Sequence, residues 1–324
     1  MTSKPALFGV LLALGAGWGA TVPMTKIAVS AGYRDFGIIF WQALIDVAIL
    51  LPVVLARGGF GARGLPLRVS ALAVYGFVAL FGNLLPSLFS YTAVRFLPSG
   101  VTALCLSLIP MVALPMAVML GTDRFSAGRL AGLVAGLTGV ALIILPEAGL
   151  PAPGLAIYVP LALIAPFCYA IEGNGLARWG GAGLGPVQII AGASVISMLV
   201  AGPLALGRGV FINPLHPWGL AEAAVVAAAV ISLAAYTGYL WLIRRAGAVF
   251  AAQVSYLVTG FGVLWAMLLL GERFSGWFWA ALAVIFAGLF LVQPRRSEDV
   301  PGVSTALVPG HGDVMIGENE SRPI

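Results

Sequence analysis

Charge is what this sequence has least of, followed by histidine and cysteine. Only 9% of the 324 residues are charged, whereas soluble domains carry about a quarter. Two histidines and two cysteines exclude a histidine-based catalytic set, a metal cluster and a disulfide framework. No GxxxxGK phrase occurs, which excludes ATP-driven pumping by this chain alone. We therefore expect no cofactor and no metal ion.

Apolar residues take the place of charge. They make up 60% of the chain, and the mean hydropathy is +1.03. They form runs of about 20 residues, the length that a helix needs to cross a bilayer. The alternating segments of about 10 residues that build a membrane barrel are absent from the sequence. The sequence thus predicts an all-α integral membrane protein with ten transmembrane helices, at about 5–30, 36–56, 69–93, 98–120, 127–145, 154–177, 185–206, 218–243, 247–270 and 275–293.

Lysine and arginine are unevenly divided between the two ends of these predicted spans. Eleven fall on the side of the N-terminus and five on the other, Arg322 aside. The positive-inside rule then predicts both termini in the cytoplasm and a location in the cell (inner) membrane. The net charge of +5 is explained by this topology, so we expect no nucleic-acid partner. Residues 297–324 are polar and predict a disordered cytoplasmic tail.

The first apolar run has one competing interpretation, a cleaved signal peptide. It carries a single positive charge and small residues, as such peptides do. No clear A-x-A cleavage site is present, and the apolar pattern continues through "TVPMTKIAV". We therefore interpret it as the first membrane span.

One short charged phrase occurs twice. "GTDRFS" at 121–126 and "GERFS" at 271–275 each join a fourth predicted helix to a fifth, and Leu133 and Gly139 align with Leu282 and Gly288. Because five is an odd number, the second unit enters the membrane upside down relative to the first. The sequence predicts two inverted five-helix repeats, 5–146 and 154–294, an arrangement typical of alternating-access transporters.

The segments around these phrases carry a family resemblance. "SLIPMVALPMAVMLGTDRFSAGRLAGLVAGLTGVALI", "VLWAMLLLGERFSGWFWAALAVIFAGLFLV" and "GAGWGATVPMTKIAV" resemble the two EamA units of the drug/metabolite transporter superfamily. The resemblance covers residues 5–293. It implies a ten-helix exporter or exchanger of small metabolites, most similar in kind to bacterial exporters of amino acids, including aromatic ones.

Polar and aromatic side chains at mid-helix depth are the candidate substrate-binding residues. Exposure of a polar group to hydrocarbon is costly, so such residues turn toward the bundle interior or a water-filled cavity. The alternative for each residue is ordinary helix packing. Residues at helical spacing on five predicted spans form the candidate set: Trp18, Tyr75, Asn83, Ser90, Tyr169, Ser232, Tyr236, Tyr239, Gln253 and Tyr256.

Three ionisable residues fall inside the predicted spans. For Asp46, with Gln42 one turn earlier, the alternatives are a protonatable coupling site and a structural latch to a neighbouring helix, and we favour the latch. Lys26 lies near a helix end, where its stem can reach water. Glu172 could line the cavity or lie in the solvated membrane interface. We favour the interface, because Glu172 is only six residues from Arg178 at the inner boundary.

These observations favour a secondary carrier that moves a small organic solute, with amino acids implied by the resemblance. The alternative is an integral membrane enzyme acting on a lipid, although no nucleophile, base or metal cluster can be assembled from the loops. A channel would need a continuous polar stripe, whereas the polar residues cluster at mid-depth. Gly132 and Gly136 predict close helix packing, within the chain or in a homo-oligomer.

Overall fold

Ten helical spans make up the described part of the chain. The computed structural model describes residues 4–123, 126–145, 150, 152, 154–215, 217–247, 250, 251 and 253–292, and no strand occurs among them. We number the spans in chain order: span 1 Lys4–Ser30, span 2 Asp35–Gly58, span 3 Val69–Phe96, span 4 Ser99–Met119, span 5 Ala127–Ile144, span 6 Leu155–Trp179, span 7 Pro186–Gly207, span 8 Leu220–Ala246, span 9 Val254–Leu270 and span 10 Gly276–Val292.

Length and hydropathy suit these helices to a bilayer. Eight of them are long and apolar enough to cross a membrane, and the described parts of spans 9 and 10 are shorter apolar helices of 17 residues. Seventeen residues rise about 26 Å and lie at the lower limit for a transmembrane helix. The predicted all-α membrane fold is confirmed. The direction of insertion stays a prediction, and the predicted tail at 297–324 lies outside the described residues.

Spans 3 and 4 are each interrupted at mid-depth. In span 3 the residues Ala79–Leu84 form a π-helical turn, and Pro86 stands at the start of the α-helix that follows. Span 4 pauses in a turn after Leu106, and Pro110 opens its second helix. Proline fits the first turn of a helix because it has no N–H group to leave unbonded. Both breaks fall where the two halves of the chain meet.

The contacts between spans have two-fold symmetry. Span 1 packs on spans 8 and 9, and span 6 packs on the corresponding spans 3 and 4 of the other half. The contact between spans 2 and 8 likewise corresponds to the contact between spans 7 and 3. The remaining extensive contacts join equivalent helices directly: span 2 with 7, span 4 with 9 and span 5 with 10. The halves are therefore interlocked rather than side by side.

Equivalent helices run in opposite directions. Gly132 of span 5 lies against Val292 and Gly288 of span 10, and Gly139, two turns later, lies against Ile285. Spans 2 and 7 show the same order, because Gly37 meets Val210 whereas Asp46 meets Ser194. In spans 4 and 9, Ser99 meets Glu272 whereas Ala103 meets Gly262. Antiparallel pairing of equivalent helices confirms the inverted repeat.

The glycine-rich face of span 5 packs inside the chain. A Cβ atom at Gly132 would lie 2.7 Å from the carbonyl oxygen of Gly288, and one at Gly136 would lie 2.1 Å from the sulfur of Met111. Small residues thus let two backbones approach, as in other membrane helix pairs. Of the two interpretations of this face, packing within the chain is the one that the structure shows.

Candidate functional site

Two adjoining cavities lie between the repeats at the centre of the bundle. Val22, Leu106 and Tyr169 line both and form the partition between them. The cavities have volumes of about 120 and 270 Å³, so only together do they reach the lower end of the range of sites for small organic ligands. Spans 1, 4, 6 and 8 contribute to both, with spans 2 and 3 added in the smaller cavity and span 9 in the larger.

The smaller cavity, which we call the polar cavity, is lined mainly by hydroxyl groups and one amide. The Tyr91 hydroxyl donates to Gln42 Oε1 at 2.5 Å, and the threonine hydroxyls of span 1 bond to carbonyls of their own helix. Within the described chain the side-chain hydroxyls of Ser90 and Ser232 form no hydrogen bond, so they remain available to a solute. The polar residues of this wall are Thr21, Thr25, Gln42, Ser87, Ser90, Tyr91, Thr102, Tyr169 and Ser232.

The larger cavity, which we call the aromatic cavity, is dominated by Trp18. The Trp18 ring makes edge contacts with Tyr236 at 6.4 Å and Tyr239 at 6.1 Å between ring centroids. Next to it, a Cβ atom at Gly19 would lie 2.8 Å from the backbone of span 9, so span 1 and span 9 are in direct contact. This wall offers ring faces and edges to a solute, and Ser107, Ser255 and Thr259 add hydroxyl groups.

We infer that a network around Lys26, next to the lining residue Val94, closes the polar cavity at one end. Lys26 Nζ donates to the carbonyl oxygens of Val94, Arg95 and Leu97 at 2.6, 3.3 and 3.0 Å. The sequence allowed this ammonium to reach water; the structure shows it joining span 1 to the end of span 3. Open carbonyls at a helix end are good acceptors for a cation. The same Val94 lines the cavity.

The repeated acidic residue takes part in this closure. The Glu272 carboxylate accepts hydrogen bonds from the backbone N–H groups of Ser99 at 2.7 Å and Gly100 at 3.1 Å, at the start of span 4. It also attracts Lys26 electrostatically. Asp123, its counterpart in the first repeat, forms an ion pair with Arg129. In the second copy of the phrase, the acidic residue therefore caps the start of span 4, a helix of the other repeat.

The two carboxyl groups within the bundle have different surroundings. Asp46 accepts a hydrogen bond from the Ser194 hydroxyl of span 7 at 3.4 Å, the kind of contact that the latch interpretation expects. Gln42, one turn away, is engaged by Tyr91 instead. Glu172 lies on the backbone of Gly82 in the π turn of span 3.

The predicted substrate-binding residues fall into three groups. Trp18, Ser90, Tyr169, Ser232 and Tyr239 line the cavities. Two others contact lining residues without lining a cavity themselves. Tyr236 contacts Trp18, and the side-chain oxygen of Asn83 accepts a hydrogen bond from the Ser87 hydroxyl at 3.4 Å. The others are not among the lining residues: Tyr75 is buried between spans 2, 3 and 7, Gln253 precedes span 9, and Tyr256 packs on Phe286.

Several lining residues escaped prediction although the sequence carried a signal for them. Thr21 and Thr25 follow Trp18 at i+3 and i+7 and so share its helix face. Gln42 and Tyr91 meet only through the fold, because 49 positions separate them. The first pair could have been found by spacing, whereas the second required the structure.

Comparison with known proteins agrees with this architecture. The sequence profile described as "EamA-like transporter family" matches residues 6–145 and 156–293. The chain belongs to the EamA-like transporter family. Its two matched segments correspond to the two halves related by the symmetry of span contacts. This membership makes the protein a membrane transporter of small molecules, with the bilayer as its surroundings.

Solved structures support the fold alone. One structure, titled "Crystal structure of protein", is similar with a TM-score of 0.57 and 20% sequence identity, covering 90% of this chain and 98% of its own. No curated protein matches the chain. The substrate must therefore be inferred from the cavities of this EamA-like protein itself.

Proposed function

We propose that this protein is a secondary transporter that exports or exchanges small organic metabolites, amino acids in particular, by alternating access. The observation that carries the proposal is the pair of adjoining cavities, whose walls come from both repeats. Sites at the interface of inverted repeats, beside discontinuous helices, are typical of secondary transporters. The breaks in spans 3 and 4 supply such helices here.

The lining favours solutes that combine an apolar body with polar ends. Trp18, Tyr169 and Tyr239 supply aromatic surface, and Ser90 and Ser232 supply hydroxyl groups. Among the described residues that line these two cavities there is no lysine, arginine, aspartate or glutamate.

We propose the cell (inner) membrane as the location, with both termini cytoplasmic, because of the distribution of lysine and arginine.

Closure at one end supports alternating access. The Lys26 network joins spans 1, 3 and 4 and the loop that carries Glu272, so it connects both repeats. Breaking it would let the repeats separate at that end, and an equivalent closure would form at the other end in the second state. Symmetry of the repeats supplies the two states, and the solute stabilises each by its contacts.

Efflux from proteoliposomes tests this proposal. We expect vesicles loaded with labelled amino acids to release at least one of them when they contain the protein. Trp18→Ala should lower the initial rate at least tenfold, because it removes the ring that organises the aromatic cavity. Trp277→Ala, at an exposed position of span 10, is the matched control and should retain the rate within about twofold. If no amino acid, nucleoside or polyamine moves while a lipid is turned over, the alternative of a lipid enzyme replaces the proposal.

A further inference from the structure

The carboxyl group of Glu172 lies in direct contact with the π turn of span 3. A Cβ atom at Gly82 would be 2.6 Å from its carboxyl carbon and 2.7 and 2.8 Å from its two oxygens. Only glycine allows an acidic side chain to approach so closely. π turns within α-helices are frequent at functional sites, and this one lies at the middle of span 3.

Glu172 has no cation to balance it in the part of the chain that the structure describes. Within the described residues no lysine, arginine or histidine pairs with its carboxylate, and no hydrogen bond to it is formed. An unpaired charge inside a membrane bundle is costly, and such residues mark substrate or ion pathways. Asp46 differs, because Ser194 donates a hydrogen bond to it. Either a proton or a bound cation therefore neutralises Glu172, since no described side chain does.

An aromatic residue of the cavity walls is the helical neighbour of this carboxylate. Tyr169 lies one helical turn before Glu172 on span 6 and lines both cavities. Glu172 itself is not among the described residues that line the cavities, so a solute would reach it beside Tyr169. Tyr236 contacts Trp18 of the aromatic cavity. Ring faces attract ammonium groups. A carboxylate one turn from a ring of the cavity wall, with no cation paired to it among the described residues, suits an organic cation.

We propose that Glu172, together with Tyr169, Tyr236 and Trp18, binds the protonated amino group of the transported solute. This inference rests on the proposed function and specifies its substrate class: amines and amino acids with an apolar body. The carboxylate receives the ammonium N–H groups, the rings pack around its alkyl or aryl part, and Gly82 leaves room for the carboxylate to take this position. Neutral solutes of the same shape would leave Glu172 unpaired.

Equilibrium binding of matched probes to the full-length protein in detergent tests the inference. Phenylethylamine is charged at neutral pH, and phenylethanol has nearly the same shape without the charge. We expect isothermal titration to show the amine binding at least tenfold more tightly. Glu172→Gln should weaken amine binding at least tenfold and change phenylethanol binding less than twofold. Asp46→Asn, the matched loss of another bundle carboxylate, should leave both affinities within about twofold.

A second variant, Gly82→Ala, tests the inference even if Glu172→Gln does not fold. Gly82→Ala keeps Glu172 but displaces its carboxylate, so it should also weaken the amine selectively. Equal binding of both probes, unchanged amine affinity in Glu172→Gln, or an equal loss in Asp46→Asn would each overturn the inference. Efflux from proteoliposomes separates the two claims. Transport of neutral solutes without amine selectivity refutes this inference alone, whereas an absence of any transport refutes the proposed function.

Discussion

Lys26→Met is expected to open the polar cavity at the Lys26 end. The substitution keeps the apolar stem but removes the ammonium group that donates to Val94, Arg95 and Leu97. Charge-assisted hydrogen bonds are worth about 1.5–3 kcal/mol each, so a closed state that depends on three of them should lose most of its advantage. The loss also removes the attraction to Glu272.

The opening can be followed with a cysteine at Thr102, which lines the polar cavity. In a background with Cys105 and Cys168 replaced by alanine, we expect Lys26→Met to raise its labelling rate by a membrane-impermeant maleimide at least tenfold. The reagent is applied from the side of the loop that joins spans 1 and 2, which is the end of span 1 where Lys26 lies. Arg273→Met removes an exposed cation from the same loop as Glu272 and should leave the rate unchanged. Equal labelling in all three proteins would show that Lys26 does not close the cavity.

Gly132→Leu is expected to destabilise the fold by at least about 3 kcal/mol. The first atom of the new side chain would lie 2.7 Å from the Gly288 carbonyl oxygen and 2.6 Å from Val292. Backbone cannot move aside as a flexible side chain can, so spans 5 and 10 would have to separate. Overpacking of a well-packed interface usually costs about 1–3 kcal/mol, and more where relaxation is blocked.

Gly128→Leu is the matched control for this prediction. Gly128 lies one turn earlier on span 5, and a Cβ atom there would meet nothing within 4 Å. The control should change the free energy of unfolding by no more than about 0.5 kcal/mol. Unfolding in mixed micelles, titrated with dodecyl sulfate, provides the measurement. Similar free energies for the two variants would contradict the antiparallel packing of spans 5 and 10.

Helix location and the repeat were predictable because each depends on local information. Apolar runs of about 20 residues specify spans directly, and the second span, predicted at 36–56, is observed at Asp35–Gly58. The repeated phrase identified the inverted halves because both copies occupy the same place in their units. Pro86 and Pro110 lie beside the two breaks, but a proline does not specify a π turn, so the geometry of Ala79–Leu84 could not be predicted.

The candidate site was only partly predictable, because spacing identifies a helix face but not its neighbour. Tyr75 and Tyr169 both stand on polar faces of their helices, yet Tyr75 packs on Gly192 whereas Tyr169 lines both cavities. Lys26 could reach water or the carbonyls of another helix, and its sequence position allows either. The Glu172 contact with Gly82 joins residues from different repeats, which no local pattern reports.

The inverted arrangement of the two repeats can be tested by labelling each copy of the repeated phrase from one side of the membrane at a time. Single cysteines replace Thr122 and Arg273, both exposed, in the background without Cys105 and Cys168. Intact cells and inverted vesicles are treated with an impermeant maleimide. We expect the two cysteines to react from opposite sides of the membrane, with position 273 labelled in intact cells. Labelling of both from the same side would contradict the inverted repeat and the pathway between its halves.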